Sequence, residues 1–306
     1  MSRTPDKGKF DQARRSFLRG LGLGSVAAAA KPAWGGESFG DALADFFQKH
    51  YQRMTPEEID ETLARIERKA EQRYGVAIDC QNTPPQPGVV FGYAINIGRC
   101  KGYRDCVHAC VKENNLGRDS QVQYIRVLQM DQGDSNLEHS EHYYDPAEVP
   151  VEGKYYMPVQ CMQCDDPPCV KACPVEATWM EPDGIVVVDY DWCIGCRYCM
   201  TACPYWARHF NWTEPEIPAD EVNPDQSYLS NRIRPQGVME KCTFCLHRTR
   251  VGRLPACLEA CPTGSRVFGN VLDPESDIRW VLDNKRIFVL KEDVGTLPRF
   301  FYFFDR

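Results

Sequence analysis

Cysteine stands out in this chain in both number and spacing. The chain has 306 residues and 16 cysteines, and all but Cys80 fall in four groups. The groups are, in chain order, Cys100, Cys106 and Cys110; Cys161, Cys164, Cys169 and Cys173; Cys193, Cys196, Cys199 and Cys203; and Cys242, Cys245, Cys257 and Cys261. Grouped thiols bind metals, form disulfides or exchange electrons, so the spacing within each group must decide between these chemistries.

The four groups share one spacing rule. The third group reads C-x2-C-x2-C-x3-C and is followed by Pro204, which is the run that holds [4Fe–4S] clusters. The second group is the same run with two additional residues, and the fourth is the same run with a long insertion. The first group keeps the register, but Tyr103 stands where the second cysteine would be.

The chemistry of an iron–sulfur cubane explains this spacing. Each iron takes one ligand from the protein, and thiolates are the soft, anionic donors that suit it. Two residues between ligands allow a tight loop whose backbone amides point at the cluster sulfurs, and the last cysteine of a run reaches a second cluster. The sequence therefore predicts a protein that holds several clusters.

Three other uses of cysteine explain the spacing less well. A disulfide framework, common in exported proteins, has no reason to repeat this spacing with a terminal proline. Zinc would use two C-x2-C pairs and leave the third and fourth cysteine of each run without a role. A redox-active C-x-x-C pair accounts for only half of each run.

Two stretches carry a resemblance to a known family, KCTFC at 241–245 and CIGCRYC at 193–199. The chain resembles the four-cluster, ferredoxin-like electron-transfer subunits of the dimethyl sulfoxide, polysulfide, tetrathionate and nitrite reductase systems. It is also similar to the periplasmic iron–sulfur subunits of sulfite-linked membrane complexes and of alternative complex III. The resemblance covers about residues 90–270.

The resemblance implies which cysteines share a cluster, because in this family the outer runs pair with each other and so do the inner runs. Carried over, three [4Fe–4S] clusters are held by Cys161, Cys164, Cys169 and Cys203; by Cys193, Cys196, Cys199 and Cys173; and by Cys242, Cys245, Cys257 and Cys110. Cys100, Cys106 and Cys261 are left around an incomplete fourth site beside Tyr103.

Three states of this fourth site are open. A [3Fe–4S] cluster needs only three thiolates, and related subunits with an aromatic residue at one ligand position hold such a cluster. An altered [4Fe–4S] cluster would take its fourth ligand from the Tyr103 oxygen or from Cys80. An empty site would leave three clusters in the protein.

The sequence between the runs predicts an α+β fold of two ferredoxin-like lobes with long insertions, built around the clusters. The predicted strands are residues 124–130, 155–159, 178–180 and 185–188, the last two forming a hairpin. Thr55 and Pro56 predict a helix start and Gly75 its end. Five histidines follow no ligand spacing, and we expect them to have structural or surface roles: His108, His139, His142, His209 and His247.

The chain is predicted to divide into four segments. Residues 1–30 form a targeting signal, 31–88 a helical extension and linker, 89–270 the four-run iron–sulfur domain, and 271–306 a docking segment. The docking prediction rests on the aromatic residues near the C-terminus, because aromatic side chains are enriched at interfaces and in membrane-interface belts. A tail folded on the protein's own core is the alternative.

Arg14 and Arg15 precede a short apolar stretch that ends in four alanines, which predicts a twin-arginine export signal. Residues 1–30 carry six Lys/Arg and two Asp/Glu, whereas the remainder carries 30 and 41, a balance of −11. An acidic body disfavours nucleic acid as a partner. The signal predicts the periplasmic face of the inner membrane, with the protein held there by partner subunits.

No motif for nucleophilic catalysis or nucleotide binding occurs in the sequence. The predicted function is therefore an electron relay without catalytic residues of its own. The resemblance implies two partners, an integral-membrane quinone-interacting subunit and a catalytic or cytochrome redox subunit. A self-contained enzyme that binds substrate at the site near Tyr103 is the alternative, and a cluster-bearing assembly scaffold is a third.

Overall fold

The computed structural model of the protein describes residues 54–119 and 122–304. The predicted export signal with Arg14 and Arg15 lies outside these residues, as does the first part of the predicted N-terminal extension. All four cysteine groups lie within them.

The helices of the described residues are mostly short, and several coincide with the cysteine runs. They are α1 (Pro56–Tyr74), α2 (Asp105–Glu113), α3 (Pro168–Lys171), α4 (Tyr198–Ala202), α5 (Leu246–Thr249), α6 (Ala256–Glu259) and α7 (Asp277–Asn284), with 3₁₀ turns at Leu137–His139, Ala219–Glu221 and Glu292–Val294. In each of α2, α3, α4 and α6 a cysteine of one run lies inside the helix.

The strands are short as well and form several small sheets. They are β1 (Asp79–Gln81), β2 (Phe91–Asn96), β3 (Arg126–Asp131), β4 (Lys154–Val159), β5 (Thr178–Met180), β6 (Val186–Val188), β7 (His209–Phe210), β8 (Asp225–Ser227), β9 (Met239–Glu240), β10 (Arg266–Asn270), β11 (Ile287–Phe288) and β12 (Phe300–Phe303). A mixed fold of small sheets and short helices thus confirms the α+β class.

One four-stranded sheet has the order β10-β2-β12-β11, and the other strands pair two by two. The antiparallel pair β5–β6 confirms the predicted hairpin, and Gly184 in its turn has a φ of 78°. β3 and β4 pair antiparallel and confirm the other two predicted strands. In the larger sheet β2 pairs antiparallel with β10 and parallel with β12.

Helix α1 has the boundaries that the sequence predicts. The Thr55 hydroxyl accepts a hydrogen bond from the Glu58 amide (3.3 Å), and the Glu58 carboxylate accepts one from the Thr55 amide (2.8 Å), which is a capping box. Gly75 ends the helix with a φ of 68°. The Tyr74 hydroxyl donates to the Pro215 carbonyl (2.8 Å), so the helix docks on the protein's own body.

The aromatic segment near the C-terminus is core, and the prediction that it docks on a membrane partner is wrong for its buried rings. β12 lies between β2 and β11. Phe300 and Tyr302 are fully buried on one side of the sheet, and Phe303 packs on the other side with Ile278 of α7. The protein itself therefore covers both faces of the strand; Phe301 is half-buried, and Phe304, directly after the strand, is exposed.

Candidate iron–sulfur sites

Short helices bring the cysteine runs together in two pairs. Helix α2 of the first run packs against α6 of the fourth run, and α3 of the second run packs against α4 of the third. The outer runs therefore lie next to each other, and so do the inner runs. This packing places the last cysteine of each run beside the first cysteines of its partner run.

The thiols form four sets of near neighbours. We name them site 1 (Cys100, Cys106 and Cys261), site 2 (Cys110, Cys242, Cys245 and Cys257), site 3 (Cys161, Cys164, Cys169 and Cys203) and site 4 (Cys173, Cys193, Cys196 and Cys199). Burial, and after it the neighbouring thiols, raises the pKa of Cys100 and Cys199 to about 11 and that of Cys164 to about 12. Binding of iron would remove these thiol protons, so metal binding and deprotonation are coupled here.

The four sites lie in a row, because each has a thiol near a thiol of the next site. The thiol pairs that link neighbouring sites are Cys106 with Cys257, Cys161 with Cys242, and Cys169 with Cys199. The order is site 1, site 2, site 3, site 4. The thiols of site 2 are all buried, whereas Cys196 of site 4 is exposed, so site 4 reaches the molecular surface at one end of the row.

The loops of the runs have the backbone geometry that a cluster needs. The residue before the second ligand position has a positive φ in every run, and its amide donates to the first cysteine in three of them. These residues are Gly102 (84°), Gln163 (45°), Gly195 (70°) and Phe244 (53°), and the amide–thiol pairs are Gly102–Cys100, Gly195–Cys193 and Phe244–Cys242. Such amides stabilise the negative charge of thiolates and tune a cluster's potential.

Tyr103 occupies the backbone position of a ligand. The φ angles of Gly102 and Arg104 on either side of it are 84° and 65°, close to the 70° and 66° of Gly195 and Arg197 around Cys196. Tyr103 lines a cavity together with the three thiols of site 1. Its side chain is 40% exposed, so site 1 also reaches the surface, at the other end of the row.

Cys80 lies apart from site 1. It is buried in a separate apolar cluster with Ala70 and Ile78, on strand β1. Burial raises its pKa to about 12, and the charged groups around it are Arg232 and carboxylates, not the thiols of a run. The structure thus gives no support to Cys80 as the fourth ligand of site 1, and leaves Tyr103 at that position.

The residues around the thiols fit an iron–sulfur cluster. All 16 cysteines have free thiols, and within the described residues no three His, Cys, Asp or Glu side chains converge on one point as a single metal ion requires. In a cubane each thiolate binds a different iron, so such convergence is not needed. Arg208 Nε and Nη1 and Arg266 Nη2 are buried without a hydrogen-bond partner among the described residues, and cluster sulfides would accept from them. A bound cluster would supply one-electron chemistry at each site.

Known proteins are similar in sequence to this part of the chain. A family model of the 4Fe-4S dicluster domain matches residues 153–219 and 228–271. The Hdr-like menaquinol oxidoreductase iron-sulfur subunit 1 of Archaeoglobus fulgidus is 42% identical over 212 residues, 64% of this chain and 71% of the relative. The iron-sulfur cluster-binding subunit of the menaquinone reductase of Nitratidesulfovibrio vulgaris is 37% identical over 243 residues, 70% of this chain and 88% of the relative.

A third relative is matched over nearly its whole length. The iron-sulfur subunit of the arsenate respiratory reductase of a Shewanella species is 33% identical over 239 residues, 69% of this chain and 95% of the relative. The chain belongs to the family of [4Fe–4S] iron–sulfur subunits of respiratory oxidoreductases. This confirms the resemblance and the prediction of iron–sulfur clusters. In this iron–sulfur subunit, no helix of the described residues has the length and apolar character to cross a bilayer.

Sequence reasoning missed a second class of residues in this iron–sulfur subunit, the buried cations between the sites. Arg208, Lys241 and Arg266 are almost fully buried, and Arg208 donates to the Cys169 thiol through Nη2 (3.1 Å). Lys241 was readable in the motif that carries the resemblance, because it directly precedes Cys242. Nothing in the sequence around Arg208 or Arg266 signals that either is buried beside thiols.

Proposed function

We propose that the chain is the electron-transfer subunit of a respiratory complex and carries single electrons along a row of clusters at sites 1 to 4. The observation that supports this proposal is the row itself. Each site has thiols beside the next, and both end sites reach the surface at Cys196 and Tyr103. A linear series open at both ends suits transfer between two external redox centres.

In this proposal sites 2, 3 and 4 each hold a [4Fe–4S] cluster with four thiolates. Site 1, with Tyr103 at the missing ligand position, holds a [3Fe–4S] cluster. Two ferredoxin-like lobes, the outer runs in one and the inner runs in the other, form the frame, as the packing of α2 on α6 and of α3 on α4 suggests. The subunit itself has no catalytic residues.

The proposal includes two partners and a location. A quinone-interacting membrane subunit stands at one end of the row and a catalytic or cytochrome subunit at the other. The Arg14-Arg15 signal would export the folded protein to the periplasmic face of the inner membrane. The names of the relatives from Archaeoglobus and Nitratidesulfovibrio, which mention menaquinol and menaquinone, support a quinone-linked partner.

Iron analysis with a redox titration followed by electron paramagnetic resonance tests this proposal. We expect about 15 irons per chain, from three cubanes and one three-iron cluster, and four one-electron centres. Affinity purification of the tagged, exported protein should also recover a membrane subunit and a second redox subunit. A protein without iron, or one with clusters that copurifies with no redox partner, would overturn the proposal.

A second candidate is an enzyme that binds substrate at site 1. The cavity beside Tyr103 and the three thiols of site 1 is the observation that favours it. Purified protein that reduces a substrate with only a small-molecule reductant present, and loses that activity in Tyr103→Cys, would support the enzyme. Reduction that requires a copurified partner subunit would support the relay.

A further inference from the structure

Among the residues that the structure describes, the buried cationic side chains fall into two classes. Five are paired with a carboxylate: Arg232 with Asp191, Arg234 with Glu240, Arg248 with Glu113, Arg250 with Asp183 and Arg299 with Asp165. The other three, Arg208, Lys241 and Arg266, form no ion pair with a carboxylate of the described residues. A buried charge without a counter-charge is strongly unfavourable, so these three need an anion that the protein's own carboxylates do not supply.

Arg266 lies between site 1 and site 2. It lines the cavity that the three thiols of site 1 also line. Its Nη1 is 3.7 Å from the Cys257 thiol of site 2 and 3.2 Å from the Tyr93 hydroxyl, which itself lies 3.3 Å from that thiol. The guanidinium therefore faces both sites, with Nη2 free of any partner in the described residues.

Lys241 lies between site 2 and site 3. It directly precedes Cys242 of site 2, and its ammonium donates to the Cys242 carbonyl (2.7 Å). The thiols of Cys161 and Cys169 of site 3 are among the groups that interact most strongly with its charge. Gln160, next to Cys161, spans the same gap, with its Nε2 3.9 Å from the Cys242 thiol.

Arg208 lies between site 3 and site 4. Its Nη2 donates to the Cys169 thiol of site 3 (3.1 Å) and to the Thr178 hydroxyl (2.8 Å). The Cys199 thiol of site 4 is its next charge partner. Its Nε and Nη1 have no partner in the described residues, although the side chain is buried.

The three cations therefore occupy the three gaps of the row, one in each. We propose that Arg266, Lys241 and Arg208 are positioning residues that hold a positive charge between successive clusters and raise the reduction potential of both clusters beside them. The inference rests on the proposed electron relay. In each step one cluster gives up an electron and the next one gains it, and no bond or proton is exchanged.

The direction of the effect follows from charge. A cluster becomes more negative when it is reduced, and a nearby cation stabilises the reduced form over the oxidised form. It also offsets the repulsion between two adjacent reduced clusters, which would otherwise keep an electron from moving onto a centre beside a filled one. Arginine suits the task because its guanidinium stays charged when buried.

Redox titrations of three charge-removing variants of the cluster-loaded, full-length protein test the inference. Arg266→Met should lower the potentials of two centres, and Arg208→Met should lower those of the two other centres. Lys241→Met should lower the potential of one centre from each pair, because Lys241 lies between site 2 and site 3. Each affected centre should change its reduction equilibrium at least tenfold, which is about 59 mV for one electron.

The controls separate charge from structure. Arg208→Lys keeps the charge. It should leave the reduction equilibrium of every centre within threefold of the wild-type value, with full iron content. Arg232→Met removes a buried arginine that is paired with Asp191, and it should shift the potential of no centre. If Arg208→Met loses clusters, Arg208→Lys decides, because loss of clusters there too would mean that the guanidinium fork matters and not the charge.

The pattern of shifts decides the outcome. The inference is supported if Arg266→Met and Arg208→Met shift the potentials of two different pairs of centres and Lys241→Met shifts one centre of each pair. The inference would be overturned if the potentials of the same centres shift in all three variants, or if the potentials of all centres shift equally. It would also be overturned if no potential shifts while the iron content is unchanged. Iron content of the wild-type protein is measured first, because a protein without clusters refutes the electron relay itself and not the placement of the cations.

Discussion

At the scale of single residues, Tyr103 determines what site 1 can bind. The residues on either side of it have φ angles close to those around Cys196, so the loop offers a ligand position and the side chain there is a phenol instead of a thiol. With three thiolates a cluster lacks a ligand for one iron, and the loss of negative charge should raise its potential relative to a four-thiolate cluster.

Tyr103→Cys should therefore convert site 1 to a four-thiolate [4Fe–4S] cluster. We expect one more iron per chain, a lower potential, and loss of the paramagnetic signal that an oxidised [3Fe–4S] cluster gives in the wild type. Tyr143→Cys, at an exposed position away from the runs, is the control and should leave iron and signal unchanged. About 16 irons in a wild type without the signal would show that Tyr103 is itself a ligand, and about 12 would show an empty site.

His209 makes stability depend on pH. Its imidazole stacks on the Tyr124 ring, and burial, followed by the positive charge of Arg126, lowers its pKa to about 4. The unfolded chain protonates this residue near pH 6.5. Below about pH 6.5 the unfolded chain binds a proton that the folded protein does not bind. The free energy of unfolding is therefore highest above about pH 6.5 and falls as the pH falls towards 4. Between pH 6.5 and 5 the thermal midpoint should fall more steeply for the wild type than for His209→Gln, and parallel curves would contradict this.

At the scale of elements, the ligand loops depend on close backbone contacts. Gly195 has a φ of 70°, and a Cβ there would lie 2.2 Å from the Gly237 carbonyl oxygen. Gly252 also has a positive φ, 81°, but a Cβ there would meet no atom within 4 Å. The two glycines therefore share the dihedral requirement, and only Gly195 carries the steric one.

Gly195→Ala should displace the loop that carries Cys193 and Cys196 and reduce the iron content by about four, one cluster. Gly252→Ala should retain full iron and cost only the strained dihedral, about 1–2 kcal/mol. Iron analysis and thermal unfolding of both variants measure this. Equal iron content in the two variants would show that the loop can move without releasing its cluster.

Strand β12 shows how an apparent docking segment becomes core. The Tyr302 hydroxyl donates to the carbonyl of Pro158 (2.9 Å), a residue of strand β4, which leads into the second run. Tyr302→Ala leaves a cavity and an unpaired carbonyl and should cost about 3–5 kcal/mol. Phe304→Ala, at a ring that is 58% exposed, should have little effect on the thermal midpoint. If Phe304→Ala is as destabilising as Tyr302→Ala, burial of the strand is not what stabilises this region.

At the scale of the whole molecule, the proposed order of events is folding, loading and then export. Arg14→Lys combined with Arg15→Lys should trap cluster-loaded protein in the cytoplasm, because the twin-arginine route reads the paired arginines. Cell fractionation with iron analysis of each fraction measures this, with Arg19→Lys as the control. Unchanged periplasmic accumulation in the double variant would refute export by this route.

The sequence alone determined the chemistry of this protein. Ligand spacing is a local property, because two residues between Cys193 and Cys196 allow one tight loop. The sequence therefore shows the runs and predicts iron–sulfur clusters, and its motifs carry the resemblance to the family, while the cluster at site 1 stays open. Helix α1 was also predictable, since the Thr55–Glu58 cap and Gly75 act within a few residues of the helix ends. The substitution at Tyr103 was visible for the same reason.

The tertiary structure decided what depends on contacts between distant segments. The aromatic residues of β12 read equally well as an interface or as core, and pairing with β2, some 200 residues away, made them core. Arg208 and Arg266 look like surface residues in the sequence, because a cation is normally solvated. Only the fold shows that both are buried between neighbouring thiol sites and paired with no carboxylate of the described residues, since burial and counter-charge depend on segments that the local sequence does not contain.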